Sequence, residues 1–137
     1  MDFFIFISEQ WLLVSAMLIF VYLFAINERR RGGKPIDARA AVGLINASEA
    51  ILLDVRDAKE YASGHIHGSM NIPYGKLEAR VTELNPHQQK VIIVADKLGQ
   101  HAGSAGNLLT KNGFTVRRLA GGITEWRNQN LPLVSGK

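Results

Sequence analysis

An uncharged apolar run near the start of the chain constrains the fold more than any other feature. The segment WLLVSAMLIFVYLFAI, Trp11 to Ile26, contains no charged residue, no glycine and no proline. As a helix it would span about 24 Å, less than the roughly 30 Å of a bilayer's hydrocarbon core, so we expect the helix to begin near Ile7 or Ser8. A buried core helix is the alternative, but a chain of 137 residues offers such a helix little to pack against. We therefore predict one transmembrane anchor over residues 1–27.

The charges on either side of this run predict its orientation. Asp2 and Glu9 precede the run, whereas all 16 lysines and arginines follow it, beginning with the stretch RRRGGK at residues 29–34. A cleavable signal peptide has positive charge before its apolar segment, so this order favours an uncleaved anchor. Positive charge stays on the cytoplasmic side of a membrane. We expect a single-pass protein of the cytoplasmic membrane with its N-terminus outside, a basic hinge over residues 28–35 and a cytoplasmic domain over residues 36–137.

The rest of the chain alternates between helical and strand patterns. Asp37 is placed to cap a short helix, and VIIVA, Val91 to Ala95, is apolar at every position, which is typical of a strand buried on both faces. Helices alternating with strands predict a three-layer α/β domain with a central, mostly parallel sheet. The remaining predicted strands are residues 51–55, 69–73 and 114–119, and the remaining predicted helices are residues 58–63, 76–84, 102–111 and 123–129.

The loop that follows the predicted central strand is the candidate binding site. In parallel sheets, ligands gather at the carboxyl ends of the strands. Asp96 of this loop could act as a phosphoryl-accepting nucleophile, and His101 could act as a general acid or base. The loop lacks, however, the additional carboxylates that hold Mg²⁺ in phosphoryl-transfer sites. The loop residues are Asp96, Lys97, Leu98, Gly99, Gln100 and His101.

Four stretches of the chain, in order, resemble the rhodanese domain family. They are LLDVRDAKEYASGHIHGSMNIP, VIIVADKLGQHAG, LLTKNGF and LAGGITEWRNQNLPL, and together they cover nearly all of residues 38–134. With the predicted anchor, the chain further resembles small bacterial inner-membrane proteins of the rhodanese-like type. The positions that fit the family's first signature are Asp54, Arg56, Glu60, Tyr61, Gly64, His65, Ile66 and Gly68.

The resemblance implies a sulfurtransferase site whose central residue is replaced. In the family, a cysteine at the end of the central strand becomes a persulfide inside a cradle of backbone N–H groups. Asp96 occupies that cysteine's position and His101 the position of the loop arginine of many members, while Gly99 fits the loop pattern. The chain contains no cysteine at any position. Both the nucleophile and a cationic group therefore depart from the family's pattern.

These departures predict a domain that is inactive as a sulfurtransferase. Persulfide chemistry needs a polarisable sulfur nucleophile, and a carboxylate oxygen cannot carry the transferred sulfur. An ionised aspartate should itself accept hydrogen bonds from the loop amides and repel thiosulfate-like anions. We expect a protein-binding or scaffolding module whose partners are the lipid bilayer and a protein at the membrane, without a cofactor. The alternative is an enzyme or small-ligand sensor that uses Asp96 and His101.

Other candidate residues receive structural interpretations. His65 and His67 lack an obvious third metal ligand, so no metal site is predicted. We expect Asp54 and Arg56 to cap the next helix and to pair with Glu60 or a neighbour. Trp126 should pack in the core of the domain. The basic residues are scattered without interleaved aromatic residues, so we predict no nucleic-acid binding; they are Lys97, Lys111, Arg117, Arg118 and Arg127.

Overall fold

The computed structural model describes residues 2–30 and 33–136, which form a long helix and an α/β domain. Helix α1 is Asp2–Arg30. Among the described residues, Phe3–Ile26 is the one segment long and apolar enough to cross a membrane. The expected start near Ile7 or Ser8 was too late, because FFIFI, residues 3–7, extends the apolar pattern and Glu9 does not interrupt the helix. Most of the apolar side chains described along this helix are exposed, with Phe4 at 76%.

The domain is built on a five-stranded sheet in which every neighbouring pair of strands is parallel. The order across the sheet is β1-β5-β4-β2-β3. The predicted parallel sheet is therefore confirmed, and the apolar VIIVA segment is its central strand. The strands are β1 (Lys34–Ile36), β2 (Ala50–Asp54), β3 (Met70–Asn71), β4 (Val91–Ala95) and β5 (Thr115–Leu119).

Helices cover both faces of the sheet because β4 presents apolar side chains to both. Ile92 and Val94 belong to a core cluster that includes residues of α4 and α5. Ile93 belongs to a second cluster with residues of α2 and α6, among them Trp126, which is buried as predicted. The domain thus has the three layers expected from the sequence. The helices are α2 (Ala38–Asn46), α3 (Ala58–Ser63), α4 (Leu77–Arg80), α5 (Ala102–Lys111) and α6 (Gly122–Asn128).

Two local predictions had different outcomes. Asp37 caps α2, since its carboxylate accepts a hydrogen bond of 2.7 Å from the backbone N–H of Ala40. The helix predicted over residues 76–84 is correct only for α4; the residues on either side form 3₁₀ turns, Tyr74–Lys76 and Val81–His87. Pro86 lies near the end of the second turn and has no N–H to continue an α-helical hydrogen-bond pattern.

The boundary between hinge and domain lies earlier than predicted. Lys34 and Pro35, which we assigned to the hinge, are the first residues of β1 and pair with β5. The Nε of Arg118 donates to the carbonyl of Gly33 over 3.0 Å, and Gly33 adopts φ +87° at a point where a Cβ would lie 2.3 Å from the Val116 carbonyl oxygen. The segment from residue 33 onwards is therefore fixed to the domain. Residues 31–32 of the predicted hinge lie outside the described residues.

A buried ion pair fixes the carboxyl end of β2. The side chain of Asp54 is 0% exposed and accepts a 2.7 Å hydrogen bond from Nη2 of Arg56, a 3.0 Å bond from its Nε and a 2.9 Å bond from its backbone N–H. Nη2 also donates to the carbonyl of Gly64, at the end of α3. We expected the two residues to cap α3 and to pair with Glu60 or a neighbour. The pairing with a neighbour is confirmed, because Asp54 and Arg56 pair with each other, whereas Arg56 binds the C-terminal end of α3 and neither side chain caps its first turn. The two side chains are close enough in sequence to satisfy each other, and Arg56 also ties β2 to the end of α3.

We expect Asp54→Asn to destabilise the domain by about 3 kcal/mol, because it leaves the guanidinium of Arg56 buried without its counter-charge. Thermal unfolding of the full-length protein in detergent should show a lower midpoint. The matched control is Asp57→Asn, which removes an exposed carboxylate nearby and should change stability by no more than about 0.5 kcal/mol. Equal midpoints for the two variants would contradict a structural role for the pair.

Candidate functional site

The candidate site lies where β2 and β4 end side by side. The two strands pair from Ala50 opposite Val91 to Asp54 opposite Ala95, and the backbone N–H of Val55 extends the pairing with a 2.9 Å hydrogen bond to the carbonyl of Ala95. Asp96 is the next residue of the chain. It is 4% exposed, an unusual degree of burial for a carboxylate.

Two backbone amides of its own loop satisfy the Asp96 carboxylate. Oδ1 accepts a hydrogen bond from the N–H of Gly99, and Oδ2 accepts one from the N–H of His101. Gly99 adopts φ +98°, a left-handed conformation that glycine adopts without steric cost. The carboxylate therefore closes the loop and occupies its amide donors, as the sequence predicted.

The start of α6 holds the same loop from the opposite side. The N–H of Ile123 donates to the carbonyl of Asp96 over 2.8 Å, and the N–H of Thr124 donates to the carbonyl of Lys97 over 3.1 Å. Gly122 adopts φ +63°, and a Cβ at this position would lie 2.4 Å from the carbonyl oxygen of Asp96. The backbone of α6 can approach the loop this closely only because residue 122 is glycine.

An aromatic pair that the sequence analysis missed borders the loop. The rings of Tyr74 and His101 are stacked, with centroids 5.0 Å apart and an angle of 18° between their planes. Tyr74 is positioned by its backbone N–H, which donates to the carbonyl of Val55 over 3.0 Å. An aromatic residue directly after the proline that ends a strand, as in NIPYG, was the available signal. His101 also precedes α5, which fits its predicted place at a helix start.

A cleft of about 290 Å³ opens between the loop and the start of α3. It brings Arg56 and Glu60, two of the predicted signature residues, together with five residues of the predicted loop. Glu60, Lys97, Gln100 and His101 are exposed, and Leu98 is 54% exposed. Asp57, Tyr74 and Gly75 complete the lining with Val55. Gly99 shapes the loop without lining the cleft.

The other signature residues serve the scaffold. His65 is buried, its ring stacks on that of Tyr61 at 3.8 Å, and its Nδ1 lies 2.8 Å from the carbonyl oxygen of Tyr61. The backbone of His65 pairs with Val134. Gly64 supplies the carbonyl that binds Arg56, and Gly68 adopts φ +79° in a turn. No group of three potential metal ligands occurs in the part of the chain that the structure describes.

The five basic residues that were considered for nucleic-acid binding also have different roles in the structure. Arg117 and Arg118 donate to backbone carbonyls at the start of the domain, where they hold residues 33–35 against β5. Lys97 lies at the cleft, while Lys111 and Arg127 are exposed on two different helices. Two of the five are thus engaged within the fold, and the lack of nucleic-acid binding stays a prediction.

The arrangement limits the chemistry available in the cleft. Both carboxylate oxygens of Asp96 are engaged by backbone donors of its own loop, and the ring of His101 is stacked against Tyr74. The chain offers no thiol to take up sulfur. What the loop does offer is a rigid backbone with exposed side chains at three of its central positions, Lys97, Leu98 and Gln100.

Comparison with known proteins agrees with this geometry. The protein named Uncharacterized protein YibN, from Escherichia coli K12, is 35% identical over 133 residues, which cover 96% of this chain and 91% of that protein. A rhodanese-related protein from Thermoplasma volcanium has a similar structure, with a TM-score of 0.67 and 28% identity over 73% of this chain and 96% of its own. A thiosulfate sulfurtransferase from Pseudomonas aeruginosa also has a similar structure, with a TM-score of 0.67 and 28% identity over 80% of this chain and 22% of its own.

The match to a family model covers most of the domain. The model for the rhodanese-like domain matches residues 37–129, from the cap of α2 to the end of α6. This range contains the buried Asp54–Arg56 pair, the loop closed by Asp96 and the glycines at the start of α6. The chain therefore belongs to the rhodanese-like domain family.

Proposed function

We propose that this protein is a membrane-anchored rhodanese-like domain that is inactive as a sulfurtransferase and binds a protein partner at the cytoplasmic face of the membrane. One observation carries the proposal: the carboxylate of Asp96 occupies the loop's amide donors in a domain that has no cysteine. The loop keeps its shape without the group that sulfur chemistry requires. Its surface remains available for binding.

The loss of sulfur transfer follows from two separate effects. The chain has no thiolate to attack a sulfane donor and carry the sulfur. An anionic donor would also have to displace a covalently attached carboxylate from the amides of Gly99 and His101, and it would meet the negative charge of that carboxylate. A thiol supplied elsewhere would therefore not restore an anion-binding site.

Protein binding is supported by the contrast between a fixed backbone and exposed side chains. The loop is held by the Asp96 carboxylate on one side and by the N–H groups of Ile123 and Thr124 on the other. Leu98 is nevertheless 54% exposed, and Gln100 is exposed beside it. A preordered surface loses little conformational entropy on binding, which favours association.

Helix α1 supplies the membrane attachment in this proposal. Its exposed apolar side chains over Phe3–Ile26 suit a lipid environment. The basic stretch at residues 29–34 begins with the last two residues of the helix, and acidic Asp2 and Glu9 lie in its first part. By the positive-inside rule, the domain is cytoplasmic and the N-terminus lies outside.

The alternative function, an enzyme or small-ligand sensor using Asp96 and His101, is disfavoured by the same contacts. Both carboxylate oxygens accept backbone hydrogen bonds, and the imidazole packs on Tyr74. An enzyme of this kind would lose turnover in Asp96→Asn and retain it when an exposed residue away from the cleft is substituted, as in Gln89→Ala. A sensor would show a ligand-induced rise in melting temperature that disappears in Asp96→Ala.

We expect the full-length protein to show no thiosulfate:cyanide sulfurtransferase turnover. In Asp96→Cys, the thiolate should attack the outer sulfur of thiosulfate, break its S–S bond, release sulfite and retain the transferred sulfur as a persulfide. The substituted thiol replaces the carboxylate among the amides of Gly99 and His101, and it would be the one thiol of the chain. Intact-mass analysis, before and after a reducing agent, detects the added sulfur. Turnover by the unsubstituted protein, free of contaminating enzyme, would refute the proposed inactivity.

Removal of the carboxylate should loosen the loop locally. In Asp96→Ala, we expect the amides of Gly99 and His101 to exchange with deuterium about 10- to 100-fold faster, the equivalent of losing roughly 1.5–3 kcal/mol for a hydrogen bond to a charged group. Asp96→Asn keeps one acceptor oxygen and should protect one of the two amides. The amide of Val116 in β5 serves as an internal control. Equal exchange in all three proteins would mean that the carboxylate does not hold the loop.

Partner binding is tested by crosslinked pull-down of the full-length protein from detergent-solubilised membranes. A double variant, Leu98→Ala with Gln100→Ala, removes exposed side chains without touching the groups that hold the loop, and we expect it to lose the partner. Gln89→Ala, at the edge where β4 begins, is the matched control and should retain it. In a third variant, α1 is exchanged for an unrelated transmembrane helix. If this variant loses the partner while the loop variant retains it, the partner binds the transmembrane helix and not the loop.

A further inference from the structure

The cleft beside the loop carries negative charge that the fold does not neutralise. Asp57 and Glu60 line its α3 side, and both are exposed. Neither side chain takes part in an ion pair or a hydrogen bond with another described residue. The remaining carboxylate, that of Asp96, is held by two amides.

The positive groups in the cleft do not balance these carboxylates. Arg56 lies at its base, but its guanidinium is already paired with Asp54. Lys97 is the other cation of the lining, and it is a single exposed ammonium group against the carboxylates of Asp57 and Glu60. The cleft thus keeps a surplus of negative charge, even before the carboxylate of Asp96 is considered.

Flat and apolar surfaces lie next to this charge. Tyr74 is 41% exposed, and its ring is stacked on that of His101. Leu98 is 54% exposed at the same cleft. A ligand that enters here meets carboxylates, an aromatic pair and an aliphatic side chain within one space of about 290 Å³.

We infer that the cleft receives a basic side chain of the protein partner, and that arginine fits it best; this inference rests on the proposed function. A guanidinium group is planar, stacks on aromatic rings and binds carboxylates with two parallel hydrogen bonds. Its three methylene groups are apolar and suit contact with Leu98. Lysine satisfies the charge of Asp57 and Glu60 without the stacking, so it is the weaker ligand.

The same features select against other occupants. An acidic segment would be repelled by the carboxylates of Asp57 and Glu60, and an anion would compete with Asp96 for the loop amides. An apolar segment would leave these carboxylates without a partner while covering them. The partner surface is therefore expected to be basic, with at least one arginine that projects from it.

Photo-crosslinking in the full-length protein in its native membranes tests this inference. Leu98→p-benzoylphenylalanine places the crosslinker at the cleft, and mass spectrometry of the adducts identifies the partner residues that it reaches. The test variant adds Asp57→Asn and Glu60→Gln. The matched control adds Glu49→Gln, which removes an exposed carboxylate just before β2, at the amino end of the strands and away from the cleft. A second crosslinker position, Gln89, reports nonspecific adducts.

The expected result is an adduct at position 98 whose partner peptide carries arginine or lysine near the crosslink. Its yield should fall about fivefold with Asp57→Asn and Glu60→Gln and remain unchanged with Glu49→Gln. A specific adduct that keeps its yield in the double variant, or whose peptide has no basic residue, overturns this inference and leaves protein binding intact. Adducts no more abundant at position 98 than at position 89 would overturn the proposed binding function itself.

Discussion

The parallel pairing of β2 with β4 is the constraint on which the rest of the domain depends. VIIVA is apolar at every position and therefore needs cover on both faces, which places β4 in the middle of the sheet. The register sets Asp54 opposite Ala95, so the buried ion pair of Asp54 with Arg56 forms directly beside the residue that begins the loop. A shift of one residue would turn the apolar side chains of β4 to the opposite faces and separate these groups.

The loop at the end of β4 keeps an ordered backbone although it has no thiol for sulfur chemistry. Its amides point inward and need an acceptor, and in this chain the acceptor is a carboxylate attached to the loop itself. A bound anion must enter the site and pay the entropy of association, whereas Asp96 is always present. The loop is consequently ordered without a ligand, and the backbone bonds from Ile123 and Thr124 hold it against the rest of the domain.

Local patterns in the sequence were sufficient for most of the fold. The apolar run of β4 and the cap at Asp37 each depend on neighbouring residues, and both predictions were confirmed. Strand β1 was missed because two of its three residues are a lysine and a proline, which give no strand signal and suit an edge position. The stacking of Tyr74 on His101 joins residues far apart in sequence, so only the sheet topology brings them together.

The identity of residue 96 indicates what the loop is suited to do. An alanine there would also abolish sulfur chemistry, but it would leave the amides of Gly99 and His101 without an acceptor. Burying an aspartate is costly unless its charge is hydrogen-bonded, and here two donors meet that condition. Aspartate therefore removes the reactivity of the site and keeps its backbone geometry. A substitution with that combination of effects is consistent with a loop that acts through its shape and exposed side chains.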